Sequence, residues 1–150
     1  MQGIADVRNG NAAFDIRFAA GTFDPASTRV TIQLDIDQLE STGIRTVYGL
    51  GIDYTVDMWA ATRRALVLRA VPSGSCTSSS PCYVEAGSAP LTLQDDGMKV
   101  VVPLSLLGQS NGRLNFRVLA YAMRPGTAAV LPTTVSDFMP DVALPPVRLQ

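Results

Sequence analysis

Three observations predict an all-β domain: apolar residues that recur at every second position, turn-forming groups between those runs, and an acid and base usage unsuited to helix surfaces. Alternation at period two puts successive side chains on opposite faces of a sheet, whereas a helix face needs spacings of three and four. Of the 13 acidic residues only Glu40 and Glu85 are Glu. The rest are Asp, which favours turns and metal sites over helix interiors. Lys99 is the only lysine among 12 basic residues. The arginine excess is as well explained by a GC-rich genome as by binding.

In chain order, a weak first strand is expected at residues 4–7, ended by the turn Arg8-Asn9-Gly10-Asn11. Phe14, Ile16 and Phe18 alternate with Asp15 and Arg17 before Ala20-Gly21-Thr22 turns the chain. Val30, Ile32, Leu34 and Ile36 alternate with Thr31, Gln33, Asp35 and Asp37, and Tyr48, Leu50, Ile52, Tyr54 and Val56 repeat the rule. Further strands are expected at residues 65–71, 83–85, 91–94, 98–103 and 114–123, with a weaker one at 147–149. Asp95-Asp96-Gly97 between two of these reads as a hairpin, since Asp and Gly tolerate positive φ. Residues 104–108, after Pro103, fit one short helical turn. Eight to ten short antiparallel strands with little helix can bury their apolar faces only against another sheet, so a β-sandwich, jelly-roll-like in form, is the expected architecture.

The 150 residues, 47% hydrophobic and 17% charged, suit a single domain spanning 1–150. A net charge of -1 gives no electrostatic footprint for nucleic acid or an anionic membrane. The chain has no histidine, which excludes histidine-based nucleophilic triads, imidazole-ligated zinc and a histidine pH switch. No apolar stretch approaches the roughly 18–20 residues that span a bilayer, so no membrane insertion is expected.

Cys76 and Cys82 enclose a serine-rich loop, Gly74-Ser75-Cys76-Thr77-Ser78-Ser79-Ser80-Pro81-Cys82. A disulfide, two free thiols and half a zinc site are the readings of this pair. The disulfide is preferred, because a C-x5-C spacing without a second pair or a histidine is a poor zinc site. Pairing would remove loop entropy worth about 2 kcal/mol and imply an oxidising compartment. The first residues lack the basic, apolar and cleavage regions of a signal peptide. Secretion is then expected of a mature or excised fragment carrying a start Met.

Candidate chemistry lies where the strand of Val30 to Ile36 ends. In Leu34-Asp35-Ile36-Asp37-Gln38-Leu39-Glu40-Ser41-Thr42-Gly43 the carboxylates of Asp35 and Asp37 share one face of an extended segment. Two like charges side by side repel unless a cation lies between them, and calcium, which takes six to eight oxygens, suits that role. The spacing is not that of an EF-hand, where Asp or Asn and then Gly should stand at Leu39 and Glu40. Two solvated aspartates at a strand end are the competing reading. Asp53, on the polar face of the following strand, would converge on Asp35 and Asp37 if the two strands pair, and Gly49 and Gly51 leave room for a close backbone or an ion.

Asp35-x-Asp37 with Thr42-Gly43, then Gly51-x-Asp53-Tyr54, resembles the signature of secreted bacterial β-sandwich domains related to family 9 carbohydrate-binding modules and the wider DOMON-like group. The match covers about residues 29–58. The resemblance implies a jelly-roll-like sandwich with structural Ca2+, and carries to Asp35, Asp37 and Asp53 as ligands. Leu39-Glu40 replaces the Asn-Pro often found in such loops, leaving Glu40 or the Gln38 carbonyl to complete the ligand set.

Sugar binding needs exposed aromatic rings, and Trp59 is the only tryptophan. Odd-numbered positions of its strand face outward, making it a candidate ligand-binding residue, with packing at a sheet edge as the competing role. Family 9 sugar binders clamp their ligand between tryptophans, a pattern from which one Trp departs. Asp137-Phe138-Met139-Pro140-Asp141 is read as a turn and Arg63-Arg64 as a solvated loop pair. Asp35 and Asp37 are too close in sequence to flank a glycosidic bond, so no enzyme is expected. The favoured role is a secreted, calcium-stabilised module binding glycan or a cell-surface polymer. The alternative is a structural or adhesive subunit of a cell-surface assembly, self-associating through strand edges.

Overall fold

A computed structural model describes residues 1–46, 49–71, 82–108, 111–122, 137–141 and 144–149. The strands are β1 (Gln2–Arg8), β2 (Asn11–Arg17), β3 (Thr28–Asp35), β4 (Ile44–Arg45), β5 (Gly51–Ile52), β6 (Tyr54–Trp59), β7 (Arg64–Ala70), β8 (Tyr83–Gln94), β9 (Gly97–Pro103), β10 (Leu114–Ala122), β11 (Asp137–Met139) and β12 (Val147–Leu149). The only helical elements among the described residues are 3-10 turns at Ala60–Thr62 and Leu104–Leu107, the second where one turn is expected after Pro103.

Ten strands form one antiparallel sheet in the order β1-β2-β9-β8-β7-β6-β3-β10-β11, with β12 also pairing β10. The sheet folds over on itself at β8. Residues up to Pro90 pair with β7, and from Leu91 the strand pairs with β9. Pro90 has no N–H to give a ladder, so it is tolerated where the strand leaves one partner for the other. Ala86 bulges opposite Val67 and Leu68, adding bend and twist to the same strand. The fold is therefore all-β and close to a barrel, two layers sharing a bent strand.

The core lies between the layers. Phe14 of β2 meets Phe116 of β10 edge to face, with centroids 5.6 Å apart. Val30, Ile32 and Leu34 of β3, Val56 and Met58 of β6, and Met98, Val100 and Val102 of β9 are all buried. Each alternates with residues on the outer face, as the period-two pattern requires.

Four details depart from the expected elements. The run from Tyr48 to Val56 is not one strand: Gly51 and Ile52 pair with β4, the chain bends at Asp53, and β6 then pairs with β3. Tyr48 lies outside the described residues. The two strands expected at 83–85 and 91–94 are one bent strand, because the bulge and Pro90 interrupt the pattern without interrupting the backbone. Asp137, Phe138 and Met139 form β11 on β10 rather than a turn. Arg63 lies on the expected loop, in a left-handed conformation, but Arg64 opens β7.

The Asp95-Asp96 hairpin is present, with Gln94 opposite Gly97. Gly97 serves a different purpose from the one expected. A Cβ there would lie 2.0 Å from the Ile16 carbonyl oxygen, so its missing side chain lets β9 approach β2. Positive φ is instead used at the β1–β2 turn, where Asn9 and Gly10 adopt 51° and 73°.

Candidate metal centre

β3 carries its apolar residues to Leu34 and then delivers Asp35 at 0% exposure. The next five residues turn back over β5. Gln38 takes a left-handed conformation, φ 61°, which reverses the chain. The Leu39 N–H donates to Asp35 Oδ1 at 3.1 Å and to Asp37 Oδ1 at 2.9 Å, so both carboxylates hold the loop that follows them. The Thr42 hydroxyl lies 2.9 Å from Asp37 Oδ2, and the Thr42 N–H donates to the Leu39 carbonyl at 3.0 Å.

Gly51 explains how close that loop can come. A Cβ on it would sit 2.4 Å from the Thr42 carbonyl oxygen and 2.6 Å from that of Leu39. The space anticipated at this glycine is filled by backbone. Gly51→Ala should push the loop off β5, destabilising the fold by about 1–3 kcal/mol and weakening any cation bound by Asp37. Urea denaturation with and without calcium measures both effects, and a variant matching the parent in each would exclude this account.

Asp53 completes the cluster from the bend between β5 and β6. Its N–H donates to the Leu34 carbonyl at 2.9 Å, and its Oδ2 accepts the Ile36 N–H at 3.0 Å. One carboxylate oxygen from each of Asp35, Asp37 and Asp53 lies within 4.8 Å of the other two. Oxygens that ligate one calcium at 2.3–2.6 Å cannot be much farther apart than this. The three could hold a metal ion. A cavity of about 420 Å³, lined by Ile36, Asp37, Gly43, Asp53, Arg69 and neighbours, opens beside them.

No ion pair among the described residues neutralises the three aspartates. Burial pushes the Asp35 carboxyl above the usual carboxylate range, and the neighbouring Asp37 adds to this, against a lowering hydrogen bond from Asn115. Burial likewise raises Asp53, aided by the charges of Asp37 and Asp35. A dication removes both causes at once by supplying opposite charge.

Asn115 was not singled out from the sequence. It stands opposite Asp35 in the β3–β10 register and donates to Asp35 Oδ2 at 3.3 Å. The signal was weak, an Asn in a mostly apolar strand that also carries Arg117. Gln38 turns its side chain to Asn115, donating Nε2 to Oδ1 at 3.3 Å. Glu40 is exposed and outside the group of three.

Trp59 is half-buried on the outer face, its indole N–H donating to Asp57 Oδ2 at 3.3 Å and the Arg29 guanidinium 4.9 Å from its ring centroid. One face of the expected sugar platform is thus taken by arginine. Of the expected disulfide pair, Cys76 lies outside the described residues, and Cys82 precedes β8. No helix among the described residues is long and apolar enough to cross a membrane. No family model, curated protein or solved structure matches the chain.

Proposed function

We propose that this chain is a non-catalytic, secreted module that uses Ca2+ as an internal staple and binds glycan or a cell-surface polymer. The observation that carries the reading is the meeting of Asp35, Asp37 and Asp53 without a cationic partner among the described residues. An all-carboxylate donor set suits a hard cation and offers zinc none of its preferred nitrogen or sulfur. Calcium accepts the irregular geometry of a loop and a strand bend better than magnesium, which demands a near-ideal octahedron. Loop carbonyls, that of Gln38 among them, and water would supply the remaining oxygens. The likeness to family 9 carbohydrate-binding modules belongs to the same proposal, as does a Cys76–Cys82 link suited to an oxidising compartment.

Calcium titration calorimetry tests the staple. The parent protein should give a saturable isotherm, and Asp35→Asn combined with Asp37→Asn should give none. An unchanged isotherm in the double variant would remove these residues from the site.

The second reading, a surface-assembly subunit, draws on one observation. β1 ends the strand order with no strand beyond it among the described residues, and its Ile4 is 73% exposed. A subunit of this kind would elute as a multimer and retain no sugar.

A further inference from the structure

A second polar site lies on the outer face of the main sheet, formed by residues that alternate with the core positions of β3 and β6. Arg29 and Asp57 form an ion pair on its floor, Arg29 Nε donating to Asp57 Oδ1 at 2.7 Å and Nη2 to Oδ2. Thr31 adds a hydroxyl 3.1 Å from Asp57 Oδ1. A cavity of about 210 Å³ stands over this floor, bounded also by Gln33, Thr55 and Leu68, with Tyr83 of β8 and Tyr121 of β10 at its sides. Burial raises both phenols, and each tyrosine lies close enough to charged or phenolic neighbours across the groove to be affected by them.

The polar groups around this cavity are not all used by the protein. Among the described residues the Thr55 hydroxyl, the Gln33 amide and the Tyr83 hydroxyl make no hydrogen bond to another protein group, and all three residues border the cavity. Hydroxyls and amides that meet only water can exchange it for the hydroxyls of a ligand. The charge on the floor sums to zero, because Arg29 is committed to Asp57. An anion would therefore meet the Asp57 carboxylate, and a cation would compete with Arg29. The space is below the roughly 300–1,000 Å³ of sites for drug-sized ligands.

We infer that this groove receives one neutral sugar ring of the bound glycan, its hydroxyls exchanging hydrogen bonds with Gln33, Thr55 and Tyr83. The inference rests on the glycan-binding reading and gives it a location apart from the aspartate cluster. It also assigns Trp59 a supporting role, holding Arg29 and Asp57 in place from one end of the floor.

The test is an array of neutral oligosaccharides of glucose, galactose, mannose and N-acetylglucosamine beside their uronic-acid counterparts. The parent protein should retain a neutral sugar. Thr55→Val and Tyr83→Phe, which keep shape and remove only a hydroxyl, should each weaken it about ten-fold while the calcium isotherm stays unchanged as a sign of correct folding. The half-buried Gln33→Ala provides a third arm should either variant fail to fold. Equal retention by parent and folded variants would overturn the groove and leave the glycan reading standing. Retention of uronic acids alone would overturn the neutral-ring inference, and retention of no sugar would overturn both.

Discussion

Asp57→Ala should lower the unfolding free energy by about 3–5 kcal/mol. The residue is 5% exposed and pairs with Arg29, itself 9% exposed. Removing the carboxylate leaves a guanidinium that cannot shed its proton, held away from water with no opposite charge. The Thr31 hydroxyl and the Trp59 indole lose their acceptor in the same step. The argument concerns breaking the pair, not having it. Arg29→Met combined with Asp57→Leu should recover most of the loss, because the double change removes the desolvation cost together with the attraction. Urea denaturation of the three proteins decides the matter. A loss under about 1 kcal/mol for Asp57→Ala would mean that water reaches the guanidinium.

Calcium should raise the melting temperature at neutral pH and do little near pH 4. At a calcium concentration about 100 times the dissociation constant the gain is about 2.7 kcal/mol. For a domain of this size that is roughly 5–10 °C. The pH dependence follows from the raised carboxyls of Asp35 and Asp53. A carboxyl whose folded pKa lies above its ordinary value of 3.8 favours the fold when protonated. In the metal-free protein that contribution is complete below 3.8 and disappears as pH rises through the higher folded value. Calcium needs the ionised forms, so its stabilisation grows over the same interval. Melting curves of metal-free and calcium-loaded protein should therefore coincide in acid and separate towards neutrality. A gap of the same size at both ends would mean that the ion, if bound, does not rest on these carboxylates.

The strand faces were legible because alternation is local. Val30, Ile32 and Leu34 face the core as their spacing requires, and Asp35 follows on the opposite face. The Asp35–Asp37 pair was visible for the same reason, and Asp53 followed from assuming that neighbouring strands pair. The bend at Asp53 was not legible, since Gly51-Ile52 and Tyr54 continue one apolar alternation while bonding to different strands. Nor was the union of residues 83–94 into one strand, because a bulge and a proline resemble a turn in sequence while the backbone runs on.

By itself the sequence determined the all-β class, the side of β2, β3 and β6 that meets the core, and the carboxylates offered at the end of β3. Those properties follow from side-chain period and residue type within a few neighbouring positions. Only the tertiary structure decided what lies across from what. Asn115 meets Asp35 across 80 positions and Arg29 meets Asp57 across 28. Register between distant strands is chosen by the packing of the whole sheet, a sum over many contacts that no short segment contains.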